Sequence, residues 1–362
     1  MGDNTRLLEK RDELKHEITT GMAKALPALI LDTTGRIVRM LTRSRQPVSW
    51  HYSAVVLTLV ILLPGSLISA LVHEAEEWMR LGPLFALAIE MALFGGIILA
   101  HIMLGNVLAN IRDHLIDAIE SADDLTDLQQ WLADVRSVRK CLAAMVVFGV
   151  FYGIVATIIC SLLCREFIGF GLATECFIFG IILGEVLYYM LWMLRLPSRL
   201  SRYQYRLYEV DPVNSEVISH LSRMLNSYVY VVAAYCALAT LPAASFRIVV
   251  WFAAAMIFIG WIPVTIQFTS NQIALSRIVT TAKWKTLNEL QAKIRKLRTE
   301  ANLADKETME AINRLMDYHD RIRVTRNSTL DLRTGLNFLN QLMLPLFAFL
   351  LANIDRLFEL VH

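Results

Sequence analysis

The chain has 362 residues, of which 56% are hydrophobic and 19% charged, and its mean hydropathy is +0.47. A water-soluble domain of this length carries more charge and fewer apolar residues, so the composition argues against that class. The net charge of +2 offers a nucleic acid no electrostatic footprint, and no nucleic-acid partner is expected.

Residues 1–53 form a charged N-terminal region. It opens MGDNTRLLEKRDELKHEI, which has no apolar signal core. Arg6 stands where N-myristoylation wants Ser or Thr. The stretch Leu26–Leu41, LPALILDTTGRIVRML, is amphipathic but too short and too charged to cross a bilayer. It is expected to lie at the inner interface.

Residues 54–268 hold six apolar runs close to the ~20 residues a spanning helix needs. They are Ala54–Val72, Leu81–Asn110, Cys141–Cys164, Phe167–Leu194, Leu225–Phe246 and Ile248–Phe268, and Thr334–Ile354 is a seventh. None alternates with a two-residue period, which favours helices over a β-barrel. The expected fold class is therefore all-α: a polytopic membrane protein with seven transmembrane helices, long cytoplasmic helical extensions and a cytoplasmic helical hairpin. Residues 110–140 and 195–224 read as helical linkers, the first broken near Ser121–Asp124. Residues 269–333 read as the hairpin. Leu287, Leu290, Ile294 and Leu297 form one apolar seam, Met309, Ile312, Met316 and His319 the other, with a break at Glu300–Ala304. Residues 334–362 supply the last span and the C-terminus.

Orientation follows from Lys and Arg, which accumulate on the cytoplasmic side. Of 35 such residues, 31 fall in the segments assigned inside; only Arg80, Arg165, Arg247 and Arg356 fall outside. The expectation is an N-terminus in the cytoplasm and a C-terminus outside, in a plasma membrane or bacterial inner membrane. Trp50, Tyr52, Trp78, Tyr188, Tyr189 and Trp192 lie near span ends, where interfacial anchors are expected. The sequon Asn327-Ser328-Thr329 falls inside and would stay unmodified. Cys141, Cys160, Cys164, Cys176 and Cys236 read as small apolar packing residues, without a disulfide framework.

Polar groups within spans are expensive and require a reason. Glu90 and His101 share a face of the second run, being eleven residues apart; Glu175 and Glu185 lie in the fourth. Glu185 follows Gly180-x-x-x-Gly184, a pattern that permits close helix approach. These residues read either as a proton or cation relay or as interhelical hydrogen-bonding groups. The last run carries a second pattern. Thr334, Asn337, Gln341, Pro345, Ala348, Ala352, Asp355 and Glu359 recur at steps of three and four on one stripe. The stripe is polar at the inner end, small in the middle and acidic outside, which fits either a pore wall or a packing seam.

No P-loop, H-E-x-x-H or G-x-S-x-G motif is present, and His73-Glu74-Ala75-Glu76-Glu77 lacks a second histidine. No enzyme activity, cofactor or metal is expected. The layout of seven spans, an inside N-terminus, short external loops and long cytoplasmic helices resembles the insect odorant and gustatory receptor channels. LPLFAFLLANID stands where that family carries its Thr-Tyr…Gln-Phe signature. The resemblance implies that the last span lines the pore of a tetramer and that residues 269–333 hold subunits together. The leading expectation is thus a homo-oligomeric, cation-preferring ion channel. A scaffold or sensor acting through its cytoplasmic helices, and a proton-coupled carrier using Glu90, His101, Glu175 and Glu185, stand as alternatives. Membrane lipids are expected partners, through basic residues such as Arg39, Arg43, Arg45, Arg199 and Arg202; the ionic or small-molecule ligand stays open.

Overall fold

A computed structural model describes residues 2–21, 25–43, 48–57, 95–164, 170–208, 210–245, 250–300 and 306–325. Its regular structure is all-helical, and the one extended pairing among the described residues is an isolated antiparallel bridge between Ile119 and Tyr205. In chain order the helices are α1 (Gly2–Gly21), α2 (Leu26–Thr42), α3 (Gly95–Ala118), α4 (Ala122–Val135), α5 (Val138–Cys164), α6 (Phe170–Leu200), α7 (Glu216–Ser245), α8 (Val250–Glu300) and α9 (Lys306–Val324). A short helical stretch also covers 50–57.

Local sequence explains the ends. Pro27 starts α2, where a missing N–H costs nothing. The helix then buries Pro27, Leu31, Gly35 and Val38, one stripe at steps of four, four and three. α3 does not stop at Asn110. It continues through a π turn at Ile111–Leu115 and a 3-10 turn at Ile116–Ala118, then breaks as Ile119 becomes extended. Ser121 caps α4 by accepting from the Asp124 N–H, and Asp123 and Asp124 sit in its first turn, next to the positive end of the helix. The break expected near Ser121–Asp124 is this cap. Between α6 and α7 the chain is largely irregular, with a single 3-10 turn at Pro212–Asn214, where the sequence reads as a helical linker.

Among the described residues, two helices are long and apolar enough to cross a membrane, α3 over Gly95–Ala118 and α5 over Val138–Val155. They bury different shares of that length, 44% and 17%. On α5 the unburied part is one stripe: Leu142, Val146, Val147, Val150, Phe151, Ile154 and Ile158 all face outward. In water such a stripe invites aggregation; in hydrocarbon it is at its lowest free energy.

The main core lies away from this stripe. It gathers Leu14 and Ile18 of α1, Leu104, Val107 and Ile111 of α3, Leu128, Trp131 and Leu132 of α4, Tyr189 and Met193 of α6, Ile218 and Leu225 of α7, and Leu275 and Val279 of α8. Tyr188 and Tyr189, expected as interfacial anchors, are 6% and 1% exposed and belong to this core. A satellite cluster of Leu287, Leu290 and Ile322 joins α8 to α9. In this hairpin Ile312 is buried, whereas Met309 and Met316 are exposed. The helix α8 passes without a break from the sixth apolar run into the hairpin. At 1.5 Å per residue its 51 residues extend roughly 75 Å, more than twice the hydrocarbon thickness of a bilayer.

Candidate functional site

Among the described residues α5 packs tightly against α6, and small residues on both sides permit it. Gly149 on α5 faces Gly180 on α6, Gly153 faces Phe177, and Gly184 faces Ala144 and Met145. A Cβ on Gly180 would sit 3.0 Å from both the Cα and the carbonyl oxygen of Gly149, and one on Gly184 would sit 3.2 Å from the carbonyl oxygen of Ala144. The backbones touch, as the small-x-x-x-small pattern permits.

Glu185 follows directly. It is 1% exposed, and neither carboxyl oxygen has a hydrogen-bond partner among the described residues. Its neighbours are Cys141, fully buried at the start of α5, and Tyr189, one turn further along α6. Tyr189 lies beside both the Cys141 thiol and the backbone of Leu26, so the start of α2 closes the cluster. The adjacent Tyr188 donates to the backbone oxygen of Asp134 at 2.7 Å. A carboxyl, a thiol and a phenol thus meet where α2, α5 and α6 converge. An unpaired buried charge is costly, so this carboxyl calls for a proton or a small cation.

His101 lies elsewhere. Its ring packs 5.1 Å from Trp50, which stacks on His51, and it has no contact with Glu185 among the described residues. Glu175 lies on α6, and its side chain is outside what the structure describes. Glu90, Thr334, Asn337, Gln341, Pro345, Ala348, Ala352, Asp355 and Glu359 all lie outside the described residues. The structure therefore brings Glu185 to Cys141 and Tyr189 and separates it from His101.

Below this cluster, polar contacts tie the helices together. Gln267 donates to Asn271 at 2.8 Å, and Asn271 donates to the Leu225 carbonyl at 2.9 Å, bridging α8 to α7; both residues are buried. The rings of His114, in the π turn, and His220, on α7, stack at 3.6 Å. α1 is held by a row of side chains. Arg11 donates to the Ile119 carbonyl at 2.6 Å, Lys15 pairs with Asp117 at 2.7 Å, and Lys10 contacts the Thr126 hydroxyl. At the end of the row the buried Arg136 lies 3.7 Å from Glu17, which also accepts from Gln129 at 2.8 Å. Burial lowers the Arg136 guanidinium from its ordinary value, with Glu17 opposing the shift.

The α4 surface is similarly knitted. Tyr203 donates to Asp127 at 2.7 Å, and burial, with that hydrogen bond and charge, pushes its phenol up. Burial likewise raises Asp124, whose carboxylate accepts from the Gln204 N–H at 2.9 Å. No family model, no curated protein and no solved structure matches this chain.

Several of these residues escape a reading of spacing alone. Cys141 reads as packing and Tyr189 as an interfacial anchor because neither motif nor periodicity links them to Glu185. Gly149-x-x-x-Gly153 is visible in the sequence, and pairing it with Gly180-x-x-x-Gly184 points to the α5–α6 contact.

Proposed function

We propose that the protein is a seven-span membrane protein, N-terminus in the cytoplasm and C-terminus outside, that assembles as a homo-oligomeric, cation-preferring ion channel. The observation that carries this reading is the stripe from Thr334 to Glu359. Amides near the inner end, small residues in the middle and carboxylates at the outer end form a graded conduit wall that concentrates cations at its mouth. Asn337, Gln341, Ala348 and Ala352 line the conduit; Asp355 and Glu359 stand at its outer entrance. The outward apolar stripe of α5 supports a lipid setting, and the unbroken α8 supports mechanical coupling between a membrane span and the hairpin. The membrane is a plasma membrane or bacterial inner membrane, the partners are lipids and further copies of the chain, and no catalytic step is assigned. Reconstituted protein is expected to pass monovalent cations in preference to anions. Asp355→Asn should lower that preference and Gln341→Leu the conductance; unchanged currents in both variants would remove the pore assignment.

One observation favours a second reading, a proton-coupled carrier. Glu185 is buried with neither oxygen partnered among the described residues, as a proton- or cation-binding carboxyl would be. Under that reading Glu185→Gln abolishes pH-dependent uptake in liposomes, whereas a channel keeps its conductance.

A further inference from the structure

Between the end of α6 and the middle of α8 lies a groove of about 450 Å³. Its walls carry Ser198 from α6, Ser201 just past its end, and Thr269, Ser270, Ile273 and Arg277 from α8. Among the described residues, no carboxylate lines it. The hydroxyls of Ser198, Thr269 and Ser270 donate to nothing among the described residues, and Arg277 has no ion-pair partner there. A helical side chain leans toward the N-terminus of its helix, so Arg277 leans toward Ile273 and Ser270 and the centre of the groove.

The same face of α8 also carries apolar side chains, Ile262 and Ile266 before Thr269 and Ser270, and Ile273 between those hydroxyls and Arg277. Ile262, Ile266 and Ile273 are each more than half exposed. At about 100° per residue this face points roughly opposite to Val264 and Leu275, which press into the bundle. Leu290, where α9 packs, points about a quarter-turn from this face, and α9 meets α8 at Leu287 and Leu290, beyond Arg277 along the helix. Along one face, then, α8 presents Ile262 and Ile266, a band of hydroxyls and, one turn past Ile273, a guanidinium with no ion-pair partner among the described residues. That order matches a phospholipid read from acyl chain to phosphate.

We propose that this groove holds an anionic phospholipid of the inner leaflet, its phosphate on Arg277 and the Ser198, Thr269 and Ser270 hydroxyls, its chains along Ile262 and Ile266. The proposal rests on the membrane reading above. Guanidinium and hydroxyl donors suit a phosphate oxygen, and a negative headgroup completes the charge of a site with one cation and no anion. Positive-inside threading puts Arg277 on the leaflet where anionic lipids face it.

The test is native mass spectrometry of the full-length protein in detergent, titrated with phosphatidylglycerol and with phosphatidylcholine of the same chain length. Phosphatidylglycerol is expected to bind about fivefold more tightly, and Arg277→Gln to remove most of that preference. Arg314→Gln, an exposed cation on α9, should leave it intact. A second readout is an Ile273→Cys variant labelled with a charged maleimide. Phosphatidylglycerol should slow labelling, and glycerol 3-phosphate, which has the phosphate but no chains, should not. Equal binding of the two lipids, a preference that survives Arg277→Gln, or equal protection by glycerol 3-phosphate overturns the lipid site. Protection of the introduced thiol without added lipid also overturns it, because protein then covers the groove. Alkaline carbonate extraction of native membranes tests the membrane reading separately. Release into the supernatant defeats that reading, whereas retention with no lipid preference defeats only the groove.

Discussion

A side-chain carbon placed on Gly184 would lie 2.7 Å from the Cα of Met145. Backbone atoms cannot move aside as a flexible side chain does, so α5 and α6 stay this close only while position 184 lacks a Cβ. Glu185 is the next residue, and its burial depends on the same contact. Gly184→Leu is expected to lower stability by ~1–3 kcal/mol and to expose Cys141 to thiol reagents. Thermal unfolding in detergent, with thiol labelling alongside, reads both effects. Wild-type stability and an unlabelled Cys141 in this variant would contradict the packing.

The N-terminal helix α1 is fastened largely by polar contacts, and Arg136 is the buried member of the set. Glu17→Gln removes the opposite charge and leaves the desolvated guanidinium only the Glu17 backbone oxygen, at 3.3 Å, so the substitution is expected to cost ~1–3 kcal/mol. The doubly altered Glu17→Gln, Arg136→Met should recover most of the loss, because no buried charge remains. Trypsin cleavage at Lys10, Arg11 and Lys15 follows the release of α1: faster in the single variant, near wild type in the double.

Lys283 is buried on α8 and donates to the carbonyls of Arg323 and Thr325 at 2.9 and 2.6 Å. It thereby satisfies acceptors at the C-terminal end of α9, where the helix leaves them open. Lys283→Met should loosen the hairpin by ~1–2 kcal/mol. Faster hydrogen exchange confined to α9 and its contact on α8 is the expected signature; a uniform change would point to global destabilisation.

Much of this organisation is legible in the sequence. The apolar runs are long and unalternating, so the helical class follows from period and length. The seam Leu287 and Leu290, the amphipathic α2 and the cap at Ser121 follow from local pattern. The cluster at Glu185 does not, since Cys141, Tyr189 and Leu26 reach it from three helices and only tertiary packing sets their distance. The stacking of His114 on His220 depends on a π turn at Ile111–Leu115 that the residues themselves do not announce. Tyr188 and Tyr189 show the converse: an aromatic pair near a span end looks interfacial until the neighbouring helices cover it.

Burial holds the carboxyl of Asp124 above its ordinary range, partly offset by the Gln204 N–H. The folded protein therefore keeps this proton to a higher pH than the unfolded chain does. Its contribution to stability is complete below roughly pH 4, the unfolded value, and is lost as the pH rises through the folded one. Asp124→Asn cannot lose a proton and should show a smaller loss of stability between acid and neutral pH. Thermal unfolding across that range compares the two proteins, and parallel curves would contradict the shift.

In the proposed channel the last span lines an ion pathway shared between copies of the chain. Electron microscopy of the purified protein in lipid nanodiscs tests it most directly. A symmetric ring with Gln341 and Asp355 facing a central axis is expected. A single isolated subunit, or a ring in which that stripe is buried within each protomer, would contradict it and turn attention to Glu185.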